Sequence, residues 1–211
     1  MKKSKVLIIG NGLLGTELHK QTGWDIVSRE VDGFDITNKD TYLMTEIFHG
    51  VAQAMTYDVI VNCIANTDTY SDDKQAHWDV NYKGTADLVD FCNRWKVKLV
   101  HISTDYVYAN SDDMASEESV PVHCNNWYGY TKLLSDGHVQ LKSDDYMLIR
   151  CTHIISKLIK NDCNGVYNVG TDLKTMYELS SKTRDNVTPI CKPLHVPNNL
   201  SMDLTKMKDS I

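Results

Sequence analysis

No stretch of this chain approaches the ~20 consecutive apolar residues that a membrane span requires. No basic run stands out, no Cys-x-x-Cys pair occurs, and internal repeats and low-complexity segments are absent. Each absence removes a class of protein. The apolar run behind Lys2, Lys3 and Lys5 is only Val6-Leu7-Ile8-Ile9 before it meets glycine, too short for the core of a secretory leader. A net charge of −6 without a basic stripe argues against nucleic acid as a main partner. The six cysteines (Cys63, Cys92, Cys124, Cys151, Cys163 and Cys191) are scattered, several within apolar patterns, and read as reduced, buried thiols. The expectation is a cytoplasmic protein with neither membrane nor nucleic-acid partner and no metal site.

What is present fits a soluble globular chain. The 211 residues are 42% hydrophobic and 24% charged. A chain of this length buries roughly 70% of its unfolded surface, enough for one domain or one domain with a small appended lobe. Val6 to Ile9 reads as a buried strand that runs into Gly10-Asn11-Gly12-Leu13-Leu14-Gly15 and then a helical pattern through Leu18. In this context Gly10 permits a tight turn, Gly12 lets the backbone approach a pyrophosphate, and Gly15 allows close helix–strand packing. The helix start turns its amides and dipole toward phosphate. Further strands are expected at 25–27, 58–64, 97–102, 146–150 and 166–170. Helices are expected over 38–55, 75–95, 128–142, 154–160 and 177–182, and 187–211, with its three prolines, reads as loop. Alternating strands and long helices predict an α/β fold, a Rossmann-like doubly wound parallel sheet whose ligands lie outside the carboxyl ends of the strands. The glycine turn, residues 65–69 and residues 103–106 all fall at those ends.

The chemistry centres on His101-Ile-Ser-Thr-Asp-Tyr-Val-Tyr108 and Tyr128-Gly-Tyr-Thr-Lys132. Tyr128 and Lys132 stand at i and i+4 of a helix, on one face. At ~4 Å and an effective dielectric near 20, such a pair gains about 4 kcal/mol, roughly three units off a tyrosine pKa near 10. That makes the phenol a proton donor at neutral pH, with the strand-end hydroxyl of Thr104 placed to hold a substrate carbonyl. Taken alone, Tyr-x-x-x-Lys is common on solvated helix faces; the glycine turn upstream gives it weight. At the end of the second strand, Ser28 and Arg29 suit a ribose 2′-phosphate, so NADPH is expected over NADH. Asp35, twenty residues past Gly15, lies in the following loop and is expected nearer the adenine. Glu30 keeps NADH as the second candidate, since a one-residue shift places an acid at the ribose.

Assembled, these residues resemble an extended short-chain dehydrogenase/reductase, most similar to the dTDP-4-dehydrorhamnose reductases. The resemblance is carried by the glycine turn, Asp35-Ile36-Thr37, Asp58-Val-Ile-Val-Asn-Cys63, Ser103-Thr-Asp-Tyr-Val-Tyr108, Tyr128-Gly-Tyr-Thr-Lys132, Gly165-Val-Tyr-Asn-Val-Gly170 and Pro197-Asn-Asn-Leu-Ser-Met-Asp203. It implies NAD(P)H-dependent reduction of the 4-keto group of a nucleotide-linked 6-deoxysugar, with Thr104, Tyr128 and Lys132 catalytic. The implied cofactor set is Gly10, Asn11, Gly12, Leu13, Leu14, Gly15, Ser28, Arg29, Asp35, Ile36, Cys63, Ala65, Asn66 and Lys132. Thr69, Asp105, Tyr106 and His153 would border the sugar, and a homodimer is compatible with it. The expected division is a dinucleotide-binding Rossmann domain over 1–150, with strand 166–170 added to it, and a small, shortened substrate lobe over 151–211.

Two departures accompany the resemblance. The glycine turn is one residue tighter than the Gly-x-x-Gly-x-x-Gly usual in extended members. After Arg150, Cys151-Thr152-His153 runs almost directly into Ile154 where the family has tens of residues that shape the sugar pocket. This predicts additional residues between His153 and Ile154 in the expressed polypeptide. The alternative is a non-catalytic regulatory protein on the same scaffold, like the regulatory subunit of methionine adenosyltransferase; Tyr128 and Lys132, both present, favour the enzyme.

Overall fold

Consecutive aliphatic residues with no polar alternate suit only a strand covered on both faces. Val6–Ile9 (β1) is such a strand, buried at all four positions. The computed structural model describes residues 4–44, 57–109, 114–119, 126–151, 159, 161–170 and 200–210. In it β1 is joined by Asp25–Val27 (β2), Val59–Asn62 (β3), Lys98–Ser103 (β4), Tyr146–Cys151 (β5) and Gly165–Val169 (β6) in one six-stranded sheet, ordered β2-β1-β3-β4-β5-β6. Every neighbouring pair is parallel, with Ile8 opposite both Ile26 and Val61. The strand order reverses between β1 and β3, and the crevice outside the strand ends at such a point is where open α/β sheets bind ligands.

The period of two along β1 splits the core. Leu7 and Ile9 point to one face, against Phe34, Tyr42, Leu88, Phe91 and Val139. Val6 and Ile8 point to the other, against Leu18, Trp24, Met147, Tyr167 and Met207. Each fully buried aliphatic stabilises the fold by about 1.5–3 kcal/mol relative to its exposed state. The helices that supply these layers are Leu13–Thr22 (α1), Arg29–Asp32 (α2), Lys39–Met44 (α3), Lys74–His77 (α4), Gly84–Trp95 (α5), Trp127–Lys142 (α6) and Thr205–Asp209 (α7).

Several expectations need correction. The third strand ends at Asn62 rather than residue 64, because the Asn62 side chain accepts from the Ile64 amide (3.0 Å) and turns the chain out of the sheet. The expected helix over 75–95 is two α-helical pieces, α4 and α5, joined by a π-helical segment, Trp78–Lys83. Residues 29–32, where no helix was expected, form a helical turn: Ser28 Oγ accepts from the Val31 amide and Asp32 accepts from the Ser28 amide, a reciprocal cap. The tail is not all loop either. Met202 bridges to Ala115, and Asp203 accepts from the Thr205 amide and hydroxyl just before α7. The helix expected over 38–55 is described only as α3, where Asn38 accepts from the Asp40 amide. Its remainder and the helix expected over 177–182 lie outside the described residues, as does all of 154–160 except Ile159.

Candidate active site

At the end of β1 the chain turns through Gly10 at φ +101°, in a left-handed region that glycine tolerates. A Cβ there would fall 2.8 Å from Ile64 Cγ1, so the first and third strand ends touch at this point. Gly15 is tighter still: its Cβ would lie 2.0 Å from the Gly10 carbonyl oxygen. Gly12 is the opposite case, with nothing within 4 Å of a Cβ built on it. It begins α1 with no side-chain cap and no acidic residue in the first turn. Leu13 beside it is 97% exposed, Leu14 is half-buried, and the Asn11 carbonyl accepts from the Thr16 hydroxyl. A ten-residue helix with open space at a glycine start presents unpaired amides and the positive end of its dipole. This cradle fits a pyrophosphate, and with it a dinucleotide cofactor.

The end of β2 supplies one exposed cation. Ser28 is buried and capping α2, so its side chain is already engaged. Arg29 is 76% exposed and 3.8 Å from Asp35 Oδ2, an ion pair loose enough to turn toward a phosphate. Asp35 Oδ1 accepts from the Thr37 amide and hydroxyl. These bonds and Arg29 outweigh partial burial and hold the carboxyl below its usual pKa. Ile36 is buried, its side chain against the place where a Cβ on Gly84 would sit.

Beyond β3, Cys63 and Ala65 are half-buried at the rim. Asn66 is clamped at both backbone groups by Asn81 of the π-helical segment. Its amide donates to Asn81 Oδ1 (2.7 Å), and its carbonyl accepts from Asn81 Nδ2 (3.0 Å). Asn81 Nδ2 also donates to Thr131 Oγ1 (3.1 Å), which ties this loop to α6. Thr69 lies half-buried at the turn beyond.

The β4 end and the start of α6 form the other half of the rim. Asn126 caps α6 by accepting from the Gly129 amide. Tyr128 then meets the Tyr106 ring edge-on at 5.6 Å. Lys132 is buried, and its Nζ donates to the Ile102 carbonyl (2.6 Å) and faces His101 Nε2 (3.1 Å). His101 is itself buried with Asn62 Nδ2 3.2 Å from its Nδ1. Burial first, and then Lys132, depress its pKa well below the ordinary value, so the imidazole is neutral. Thr104 Oγ1 donates to Asp105 Oδ1 (3.0 Å) and accepts from the Tyr106 amide (3.2 Å). Burial raises the Asp105 carboxyl pKa against those bonds. The Thr104 hydroxyl is therefore engaged with Asp105 and has to turn away from it to meet any other acceptor.

The structure thus brings Thr104, Asp105, Tyr106, Tyr128 and Lys132 together on the β4 side and sets the glycine turn, Cys63, Ala65 and Asn66 across the β1/β3 crevice. Ser28, Asp35 and Ile36 are engaged in the local fold. His153 and the junction with Ile154 lie outside the described residues. Sequence reasoning did not single out His101, Asn81, Asp136 or the buried role of Arg150. A signal existed for two of them: His101 and Arg150 interrupt apolar strands at the sheet's centre, where a polar side chain needs a partner. Among the described residues no cluster of potential metal ligands occurs, and no helix is long and apolar enough to cross a membrane.

A doubly wound parallel sheet with an open glycine cradle at its switch point and a Tyr–Lys helix beside it defines the short-chain dehydrogenase/reductase class. Within it, the chain belongs to the family whose model is described as the RmlD substrate binding domain, which matches residues 4–187. It is 30% identical over 156 residues to a dTDP-4-dehydrorhamnose reductase of Mycolicibacterium smegmatis, covering 69% of this chain and 44% of that protein. A second such reductase, from Burkholderia thailandensis, is 28% identical and covers 74% and 52%. The chain spans about half the length of these curated relatives. The fold matches the crystal structure of dTDP-4-dehydrorhamnose reductase from Bacillus anthracis in complex with NADP. The TM-score is 0.80 at 20% identity, over 99% of this chain and 92% of that one.

Proposed function

We propose that the protein reduces the 4-keto group of a nucleotide-linked 6-deoxysugar, using NADPH. The observation that carries this reading is the convergence on one rim of the open Gly12 cradle and the Thr104, Tyr128 and Lys132 side chains. Bound NADPH supplies the hydride. Five groups of the chain then act. The α1 amides at Gly12 to Gly15 receive the pyrophosphate, and Arg29, released from Asp35, pairs with the ribose 2′-phosphate. The Lys132 ammonium, anchored on the Ile102 carbonyl, holds the nicotinamide ribose and favours the ionised form of Tyr128. Thr104 turns its hydroxyl from Asp105 to the keto oxygen. Tyr128 gives its proton to the oxygen as negative charge develops there, a transfer worth about two to four decades in rate.

The relatives named as dTDP-4-dehydrorhamnose reductases support the sugar-nucleotide reading, and the neighbour bound to NADP supports the choice of cofactor. The complete Thr104–Tyr128–Lys132 set speaks against a purely regulatory protein on this scaffold. The test is a panel of 4-keto sugar nucleotides incubated with NADPH and followed by loss of nicotinamide absorbance. Turnover of a dTDP-linked 4-keto-6-deoxysugar is expected. Tight NADPH binding without turnover of any member contradicts it.

A further inference from the structure

Beneath the site, one buried carboxylate stands between two buried cations. Asp136 lies one turn after Lys132 on α6, and both are almost wholly buried. Side chains at i and i+4 of a helix are neighbours. Yet the ion pair of Asp136 runs across to β5, where Arg150 Nε donates to Asp136 Oδ2 at 3.1 Å. Arg150 is held for that bond from the other side. Its NH1 donates to the Tyr108 hydroxyl, and its guanidinium lies 4.8 Å from the Tyr108 ring centroid. Tyr108 donates onward to Asn168 Oδ1 (3.1 Å), and Asn168 Nδ2 donates to the carbonyls of Ala115 (2.9 Å) and Asp203 (3.3 Å). Burial pushes the Asp136 carboxyl up, while Arg150, the nearby Ser103 hydroxyl and Lys132 draw it back toward the ionised form.

We infer that Arg150 is a positioning residue for the active site: by holding the Asp136 carboxylate, it leaves Lys132 on the Ile102 carbonyl with its charge directed to Tyr128 and the cofactor ribose. A buried carboxylate without a partner is strongly unfavourable. With Arg150 gone, the nearest cation is Lys132, one turn back, and closing that pair would pull Lys132 off β4 and neutralise it. The interlocked bonds through Tyr108 and Asn168 explain why Arg150 cannot be drawn away in turn. This assignment rests on the reductase reading for what Lys132 holds, but its test does not depend on turnover.

The experiment titrates NADPH, by its fluorescence, into the wild type, Arg150→Met, Asp136→Asn and Asp136→Asn/Arg150→Met, with circular dichroism confirming the fold of each. Arg150→Met is expected to loosen NADPH by about 10- to 100-fold, the worth of one charge-assisted hydrogen bond. Asp136→Asn should bind as the wild type does, because no competing charge remains, and the double variant should recover wild-type affinity. A merely structural Arg150 would lower stability and leave the NADPH affinity of a folded variant unchanged. If Arg150→Met alone does not fold, the double variant decides: wild-type affinity supports the assignment and loosened affinity overturns it. Unchanged binding in a folded Arg150→Met also overturns it. A wild type that does not bind NADPH contradicts the cofactor reading instead.

Discussion

The two halves of the rim are built on opposite terms. On the β1 side the site is backbone: a left-handed Gly10, an uncapped helix start at Gly12, and empty space where a Gly12 side chain would stand. On the β4 side it is side chains bonded to one another: Thr104 on Asp105, Lys132 beside His101, His101 beside Asn62, and Asp136 on Arg150. The first half suits a ligand defined by charge and close approach. The second holds its side chains to a fixed geometry, which the proposed proton transfer needs. Substitutions on the first half should therefore act through volume, and on the second through lost partners.

The largest effect is expected on the bonded half. On the proposed reading Lys132 serves both Tyr128 and the nicotinamide ribose, so in Lys132→Ala turnover should fall by at least ~100-fold with cofactor affinity falling too. Separate measurement of kcat and of the NADPH dissociation constant checks both. On the backbone half, Gly15→Ala drives a methyl to 2.0 Å from the Gly10 carbonyl oxygen. Relief requires α1 to move, and chemical denaturation should show a loss of about 3 kcal/mol. Gly12→Ala separates volume from stability. Its φ of −63° accepts alanine and its surroundings are empty, so the fold should be unharmed or gain about 0.4–1 kcal/mol. NADPH binding should weaken all the same, because the methyl occupies the phosphate cradle; equal affinity would remove Gly12 from the site. The smallest effect is at Arg29, exposed and only loosely paired with Asp35. Arg29→Ala should shrink the preference for NADPH over NADH by about tenfold, the value of one exposed charge-assisted contact. An unchanged ratio would assign the 2′-phosphate elsewhere.

The same contrast explains what could be read from the sequence. The backbone half was legible because glycine at fixed spacing after an apolar run has few other uses, and Val6–Ile9 and Val59–Val61 are uniformly apolar, as buried parallel strands are. Tyr128 and Lys132 were legible through their helical spacing. The support beneath them was not. Asp136 follows Leu133-Leu134-Ser135 as any solvated helix residue could, and its partner Arg150 is fourteen residues away. Whether a charged residue is buried depends on what packs over it, here β5 and the Tyr108–Asn168 bond, which no local pattern encodes. Two local signals were present and passed over. Ser28 with Asp32 is a reciprocal cap in a four-residue turn, and Asp203-x-Thr205 is an Asx-type turn leading into α7, hidden by the prolines that precede it. The π-helical turn at Trp78–Lys83 has no sequence signature of its own, yet it places Asn81 on the Asn66 backbone.

The central claim is that Tyr128 delivers the proton in a reduction of a 4-keto sugar nucleotide. The most direct measurement compares wild type and Tyr128→Phe for NADPH oxidation with a dTDP-linked 4-keto-6-deoxysugar, with NADPH affinity determined on the same preparations. The expected result is a loss of about two to four decades in kcat with the NADPH dissociation constant essentially unchanged. Equal turnover by the two proteins would contradict it.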